Sequence, residues 1–311
     1  MAGPDILNPA AQPSPAGSAL APEGGEVTAA GTGTQLSLQA FLQSKRAMTG
    51  TGLVVLLALF CFVGPLLYHT NQVTVNLGLE NSPPGPGYPL GTDQYGIDVL
   101  GRLMVGGQSS LELGFAVGIA TTVIGLLYGA ISGMAGGIVD ALLMRIVDTL
   151  LAVPTFILLL IVSSMFTLNL TAIIVILTVL SWPYVCRLVR AQVLSLRTRE
   201  FVQASTAMGS TRLRILVRHM LPNTFNIFIV TTTFAVADSI YALSALSFLG
   251  LGPPPPFADW GTMLTTGVND LFDSYPWEVY PALIILVVTI LAFRQIGDAL
   301  NDIASSRSSV R

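Results

Sequence analysis

The sequence predicts an all-α integral membrane protein with six transmembrane helices. Of its 311 residues, 52% are hydrophobic and only 10% are charged, whereas soluble proteins average about 45–50% apolar and about 25% charged residues. Six apolar runs are long enough to cross a hydrocarbon core of about 30 Å. They cover about residues 49–68, 107–131, 139–165, 168–190, 222–250 and 278–298. Closely spaced small residues favour tight helix packing, as at Gly114, Gly118, Gly125 and Gly129.

The composition and the side-chain inventory argue against several function classes. A net charge of −3 gives no basis for nucleic-acid binding. Cys61 and Cys186 lie in or beside apolar runs, so we expect free thiols, and no Cys/His group has metal-ligand spacing. The sequence contains no Gly-rich phosphate loop and no nucleophile–base set. We therefore expect no catalysis, no cofactor and no metal in this subunit.

The chain divides into four predicted segments. Residues 1–44 contain no Lys or Arg and are rich in Ala, Gly, Pro, Ser and Thr, which predicts a disordered tail. Without a basic n-region they are not a secretory signal. Residues 45–106 hold the first span and a polar extracytoplasmic segment. Residues 107–302 form the predicted transmembrane core, and 303–311 a short cytoplasmic tail.

The distribution of basic residues predicts the orientation in the membrane. With the N-terminus inside, only Arg102 of the 14 Lys and Arg residues falls on the outer side. The outer segments instead carry acids, including Asp93, Asp259 and Glu278. Because Lys and Arg accumulate in cytoplasmic loops, we expect a multi-pass protein of the cytoplasmic membrane with both termini in the cytoplasm.

A polar, basic island at 198–223 carries the main functional prediction. Thr198 as N-cap and Gly209 as a left-handed C-cap predict a helix within 199–209. At ten residues it is roughly 15 Å long, too short to span the membrane. Its apolar face has no core of its own, so we expect it to enter a groove on another protein. That face consists of Phe201, Ala204, Ala207 and Met208. The alternative is an ordinary loop, basic only to fix topology.

A second basic amphipathic turn follows this helix, with Ser210 as its predicted cap. Arg212, Arg214 and Arg218 either set the topology or contact a partner, and the sequence leaves both open.

Charged and polar residues inside the apolar runs are further candidates. Arg145 and Asp148 stand at i and i+3, which favours a structural salt bridge. Asp238 lies just past the middle of the fifth run, with no basic residue within a turn. An acid at that depth either lines a water-filled path or makes a protonated helix contact. Trp182 and Ser244 are weaker path candidates, and a kink at Trp182 is the competing explanation.

Several motifs resemble the inner-membrane permeases of ATP-binding-cassette importers, and more narrowly the C-type permease of the dipeptide, oligopeptide and nickel group. The island resembles the family's cytoplasmic signature, with Gln203 where Glu is usual, Ser205 where Ala is usual, and then Gly209. Segments 90–100, 136–148, 181–193 and 246–261 also resemble family segments. Arg294 and Asn301 depart from the usual pattern. The resemblance covers about residues 88–302.

This resemblance implies a type I importer (MetI-like) permease fold with a cytoplasmic coupling helix between spans four and five. It implies a second homologous permease, two cytoplasmic ATPases that bind ATP and Mg, and an extracytoplasmic solute-binding protein. The implied coupling residues are Glu200, Phe201, Gln203, Ala204, Ser205, Met208, Gly209 and Arg212. The implied substrates are dipeptides or oligopeptides. Nickel or another small solute is the alternative, and a self-contained ion-coupled carrier is the rival from another class.

Overall fold

The computed structural model describes residues 39–69, 74–271 and 275–306. The predicted tail up to residue 38 and the terminal residues 307–311 lie outside the described residues. The helices of this article are α1 Lys45–Phe62, α2 Gly64–Leu67, α3 Val99–Ala135, α4 Gly137–Leu151, α5 Thr155–Met165, α6 Leu170–Arg197, α7 Glu200–Ala207, α8 Arg212–Ile215, α9 Leu221–Phe248, α10 Trp260–Leu271 and α11 Tyr280–Ser306.

Five helices within the described residues are long and apolar enough to cross a membrane: α1, α3, α6, α9 and α11. Together α4 and α5 make a sixth candidate, but they are bent by 66°. The apolar run expected over 139–165 is therefore divided between two helices. Proline disfavours helical backbone in the residue before it. Pro154 itself has extended backbone and is the N-cap of α5.

The second span begins earlier than the apolar run at residue 107 suggested. Asp98 caps α3, and its carboxylate accepts hydrogen bonds from the backbone N–H groups of Leu100 and Gly101, both at 3.2 Å. Such a cap satisfies donors that the first helical turn leaves open. The resulting helix has 37 residues and is about 55 Å long at 1.5 Å per residue, so it projects beyond the hydrocarbon core.

Helix α3 lies at the centre of the fold and packs against α6 and α9 through glycines. A Cβ atom on Gly129 would lie 2.5 Å from the carbonyl oxygen of Cys186 on α6. On Gly118 it would lie 2.6 Å from a methyl carbon of Val236 on α9. Equivalent close approaches occur at Gly114 and Gly125. The prediction that these small residues permit close packing is confirmed.

One end of the bundle carries a helix, α10, that is absent from the predicted runs. Helix α10 begins at Trp260, whose fully buried indole N–H donates to the carbonyl of Leu103 on α3 at 3.0 Å. The hydrogen bond satisfies the one polar group of a large apolar side chain. Both cysteines are free and buried, as expected.

Candidate functional site

The short helix expected in the basic island is present as α7, with a different N-terminus. Its N-cap is Arg199, which makes no capping bond from its side chain within the described residues. Thr198 instead ends α6, and its hydroxyl donates to the carbonyl of Ser195 at 2.9 Å. The prediction of Thr198 as N-cap is therefore wrong. Glu200 does occupy the first turn of α7, where a carboxylate suits the helix dipole.

The C-terminal end of α7 follows the prediction for Gly209. This residue has φ +80°, and its N–H donates to the carbonyl of Thr206 at 3.0 Å. The N–H of Ser210 donates to the carbonyl of Ser205 at 3.1 Å. Together these bonds form a Schellman motif, in which the left-handed residue lets the chain reverse. A Cβ on Gly209 would meet no described atom within 4 Å, so glycine is favoured here by the backbone conformation and not by a lack of space.

Helix α7 has an anchored face and an exposed face. Val202 and Ser205 are buried, and Val202 packs in a cluster with Leu196, Ile215 and Met220. The side chains expected to contact a partner are mostly exposed, with Phe201 at 42% and Met208 at 80%. Glu200, Gln203, Ala204 and Arg212 are also exposed. Ser205 is an exception, because its burial turns it toward its own chain and away from any partner.

The turn after α7 is capped by a different hydroxyl from the one predicted. Thr211 is the N-cap of α8 and accepts a hydrogen bond from the N–H of Arg214 at 3.4 Å. A π-helical turn, Leu216–Met220, then leads into α9. Leu213 and Val217 are exposed on this turn. We refer to the exposed residues Phe201, Ala204, Met208, Leu213 and Val217 as the α7–α8 surface.

Two arginines of α6 form ion pairs with aspartates of α4. Arg190 donates two hydrogen bonds to Asp140, at 2.7 Å and 2.6 Å. Arg187 pairs with Asp148 at 2.6 Å. The predicted pair of Arg145 with Asp148 is therefore wrong, because α6 brings Arg187 to that carboxylate.

Asp238 also has a partner that the sequence did not reveal. Arg294 of α11 donates to its Oδ1 atom at 2.8 Å. The expectation of an isolated acid considered only neighbours within a turn, whereas α9 and α11 bring these residues together across the fold. Their side chains are nevertheless 65% and 51% exposed in this chain. A charge at the centre of a transmembrane helix costs roughly 2.5–3.5 kcal/mol on insertion scales, which argues that this exposed face does not meet lipid.

The other two path candidates do not lie on the same exposed surface as Asp238. Trp182 is half-buried and packs on the ring of Tyr128, with ring centroids 4.7 Å apart. Ser244 is buried, and its backbone lies against Gly261 at the start of α10. A buried hydroxyl in a helix contact does not line an open path.

Asp259, which the sequence predicts only as an acid in a segment between apolar runs, has a buried carboxyl group. Asp259 is fully buried, and its Oδ1 accepts from the N–H groups of Gly261 at 2.7 Å and Thr262 at 3.3 Å. Burial raises its pKa to about 6, although these hydrogen bonds and the nearby Ser247 hydroxyl oppose the shift. No local sequence signal marks this burial, which depends on α3 and α10 packing around the loop.

The apolar helices define a multi-pass membrane protein, and the short helix α7 lies in the chain between the candidate spans α6 and α9 with one side exposed. A family model described as "Binding-protein-dependent transport system inner membrane component" matches residues 125–310. The chain belongs to this family of membrane permease subunits of ATP-binding-cassette transporters. A second model, described as "N-terminal TM domain of oligopeptide transport permease C", matches residues 33–84.

Two similar proteins come from Bacillus subtilis (strain 168). Its Oligopeptide transport system permease protein OppC is 36% identical over 262 residues, which cover 84% of this chain and 86% of the relative. Its Dipeptide transport system permease protein DppC is 35% identical over 269 residues, covering 86% of this chain and 84% of the relative. The similarity therefore extends over most of both chains.

Proposed function

We propose that this chain is the permease subunit of an ATP-driven importer of dipeptides or oligopeptides. It forms half of a translocation path, and a second homologous permease forms the other half. The observation that carries the proposal is the exposed apolar face of α7 in a membrane permease whose relatives are named for peptide transport. An exposed apolar face with no covering element among the described residues suits a groove on a partner.

In this proposal α7 couples the path to a cytoplasmic ATPase. Phe201, Ala204 and Met208 enter a groove on the ATPase, while Glu200, Gln203 and Arg212 contact its rim. Val202 packs in a cluster with Val189 and Val193 of α6 and Ala130 of α3. Because packed interiors transmit displacement, a shift of α7 reaches the two helices at the centre of the bundle.

The remaining components supply chemistry and substrate. Two cytoplasmic ATPase subunits bind ATP and Mg and carry out hydrolysis, so this chain has no catalytic role. An extracytoplasmic solute-binding protein delivers the peptide to the outer side. Both termini and the α7–α8 surface lie in the cytoplasm, which is supported by the arginines clustered at 187–218. Asp238 lines the path, supported by its exposure near the middle of α9.

Reconstitution into liposomes tests this function directly. The full complex of both permeases and both ATPases, with its binding protein, should accumulate a labelled dipeptide or oligopeptide when ATP is supplied. Accumulation should stop with a non-hydrolysable ATP analogue. Uptake driven by an ion gradient without ATP would contradict the proposal. ATP-driven uptake of Ni²⁺ but of no peptide would assign the complex to the alternative substrate class.

A further inference from the structure

Asp238 and Arg294 lie within the apolar, membrane-spanning stretches of α9 and α11. At 1.5 Å per residue, Asp238 is about 15 Å from the Phe248 end of α9, and Arg294 is about 21 Å from the Tyr280 end of α11. Their hydrogen bond joins Arg294 Nη2 to Asp238 Oδ1 at 2.8 Å. Both side chains are more than half exposed in this chain. The pair is therefore accessible within two candidate membrane spans, where most accessible surface meets lipid.

The surface around the pair is mixed polar and apolar, unlike a lipid-facing surface. Tyr241 follows Asp238 on the exposed side of α9. On α11 the exposed apolar residues Val287 and Leu291 precede Arg294, and the exposed polar residues Asp298 and Asn301 follow it. Between residues 53 and 62 the exposed side of α1 instead carries only apolar side chains, which suit lipid. Its members are Leu53, Val55, Leu56, Leu59 and Phe62. The exposed charges of Asp238 and Arg294 therefore support contact of the α9–α11 face with water or substrate.

We propose that Asp238 and Arg294 form a binding site for the charged ends of a peptide passing through the path. The inference rests on the proposed function and names what the path recognises. The Arg294 guanidinium takes the C-terminal carboxylate, and the Asp238 carboxylate takes the N-terminal ammonium group.

Charge balance supports this assignment. With no substrate present, the two side chains neutralise each other, so neither is left as an isolated charge in the membrane. A zwitterionic peptide exchanges their mutual ion pair for two ion pairs of its own and adds no net charge. Arg294 has five N–H donors in a planar fork, which matches a carboxylate. Every unmodified peptide carries both charged ends, so such a site accepts varied sequences.

Three variants separate recognition from a purely structural ion pair: Arg294→Gln, Asp238→Asn and the double variant. Each is reconstituted in the full complex, and ATP-driven uptake is measured for a labelled dipeptide with a free carboxylate and for its C-terminal amide. The same binding protein is used throughout, so a changed ratio between the two peptides reports on the permease. Arg187→Gln is the matched control, because it removes an Arg–Asp pair elsewhere in the fold.

We expect Arg294→Gln to lower uptake of the free dipeptide about tenfold or more, as for loss of a charge-assisted hydrogen bond. Uptake of the amide should change little, and Arg187→Gln should leave the ratio unaltered. The double variant removes both charges, so neither is left without a partner. Its abundance and melting temperature should therefore return to the wild-type values, while uptake of the free dipeptide stays low. Wild-type uptake by the double variant, or an equal loss for both peptides, would overturn the proposal. Absence of ATP-driven peptide uptake by the wild type would instead overturn the proposed function and this inference with it.

Discussion

Arg190 on α6 donates two hydrogen bonds to Asp140 in the first turn of α4, from Nε at 2.7 Å and from Nη2 at 2.6 Å. Ser132 of α3 donates to the same carboxylate at 2.5 Å. Three helices therefore meet at one largely buried carboxylate, close to the end of the bundle that carries α7. Arg197 adds a further link by donating to the carbonyl of Gly133 at 3.0 Å.

Breaking this junction should destabilise the protein strongly. Arg190→Gln leaves the Asp140 charge without its guanidinium partner, and losing one member of a buried pair costs about 3–5 kcal/mol. Arg190→Lys keeps the charge but loses the bidentate geometry, so its effect should be smaller. The midpoint of thermal unfolding in detergent measures both. Arg187→Gln is the control, because its more exposed pair with Asp148 should contribute only about 0–1 kcal/mol. Equal losses at both positions would contradict this account.

The contact of α3 with α6 predicts a steric effect at Gly129. A Cβ there would lie 2.5 Å from the backbone carbonyl oxygen of Cys186, and backbone cannot rotate away as a side chain can. Gly129→Ala should therefore separate the helices and cost about 1–3 kcal/mol, as overpacking does. Gly52→Ala on α1 is the control, since its Cβ would meet no described atom within 4 Å. Thermal unfolding that does not distinguish the two variants would refute the packing argument.

Local patterns predicted the helical class, the close glycines and the Gly209 stop, because each depends on neighbouring residues. The break at Pro154 and the cap at Asp98 also had local signals, namely the proline and the capping aspartate themselves. Predictions based only on apolar runs do not use these signals. The partners of Asp238 and Asp148 could not be predicted in the same way. Arg294 stands 56 residues from Asp238 and Arg187 stands 39 from Asp148, so these pairs depend on how whole helices pack.

Asp259 gives a prediction for the pH dependence of stability. Its folded-state pKa of about 6 exceeds the ordinary value of 3.8 because the group is buried. Protonation therefore favours the folded state: this stabilisation is fully present below about pH 4 and is lost as the pH rises through about 6. Asp259→Asn keeps the oxygen that accepts from Gly261 and Thr262 but does not ionise. Its unfolding midpoint should exceed that of the wild type above pH 6 and vary less between about pH 4 and 8. Parallel pH profiles for the two proteins would contradict this.

Gly209 gives a prediction for coupling. Its φ of +80° carries a steric penalty for a β-branched side chain, whereas asparagine tolerates this region. Gly209→Val should therefore distort the end of α7 and redirect Phe201 and Met208, while membrane insertion is unaffected. We expect a well-expressed permease that has lost substrate-stimulated ATP hydrolysis, and Gly209→Asn should retain most of it. If the Val variant hydrolyses ATP normally in response to substrate, the geometry of this turn has no part in coupling.

In the proposed function, the exposed side of α7 enters a groove on a cytoplasmic ATPase. A cysteine placed at exposed Gln203, followed by cross-linking in the assembled complex, tests it most directly, because native Cys61 and Cys186 are buried. A cysteine at buried Ser205, on the opposite side of the same helix, is the matched control. The account predicts efficient capture of an ATPase subunit from position 203 and little from position 205. No capture from position 203, or equal capture from both positions, would contradict it.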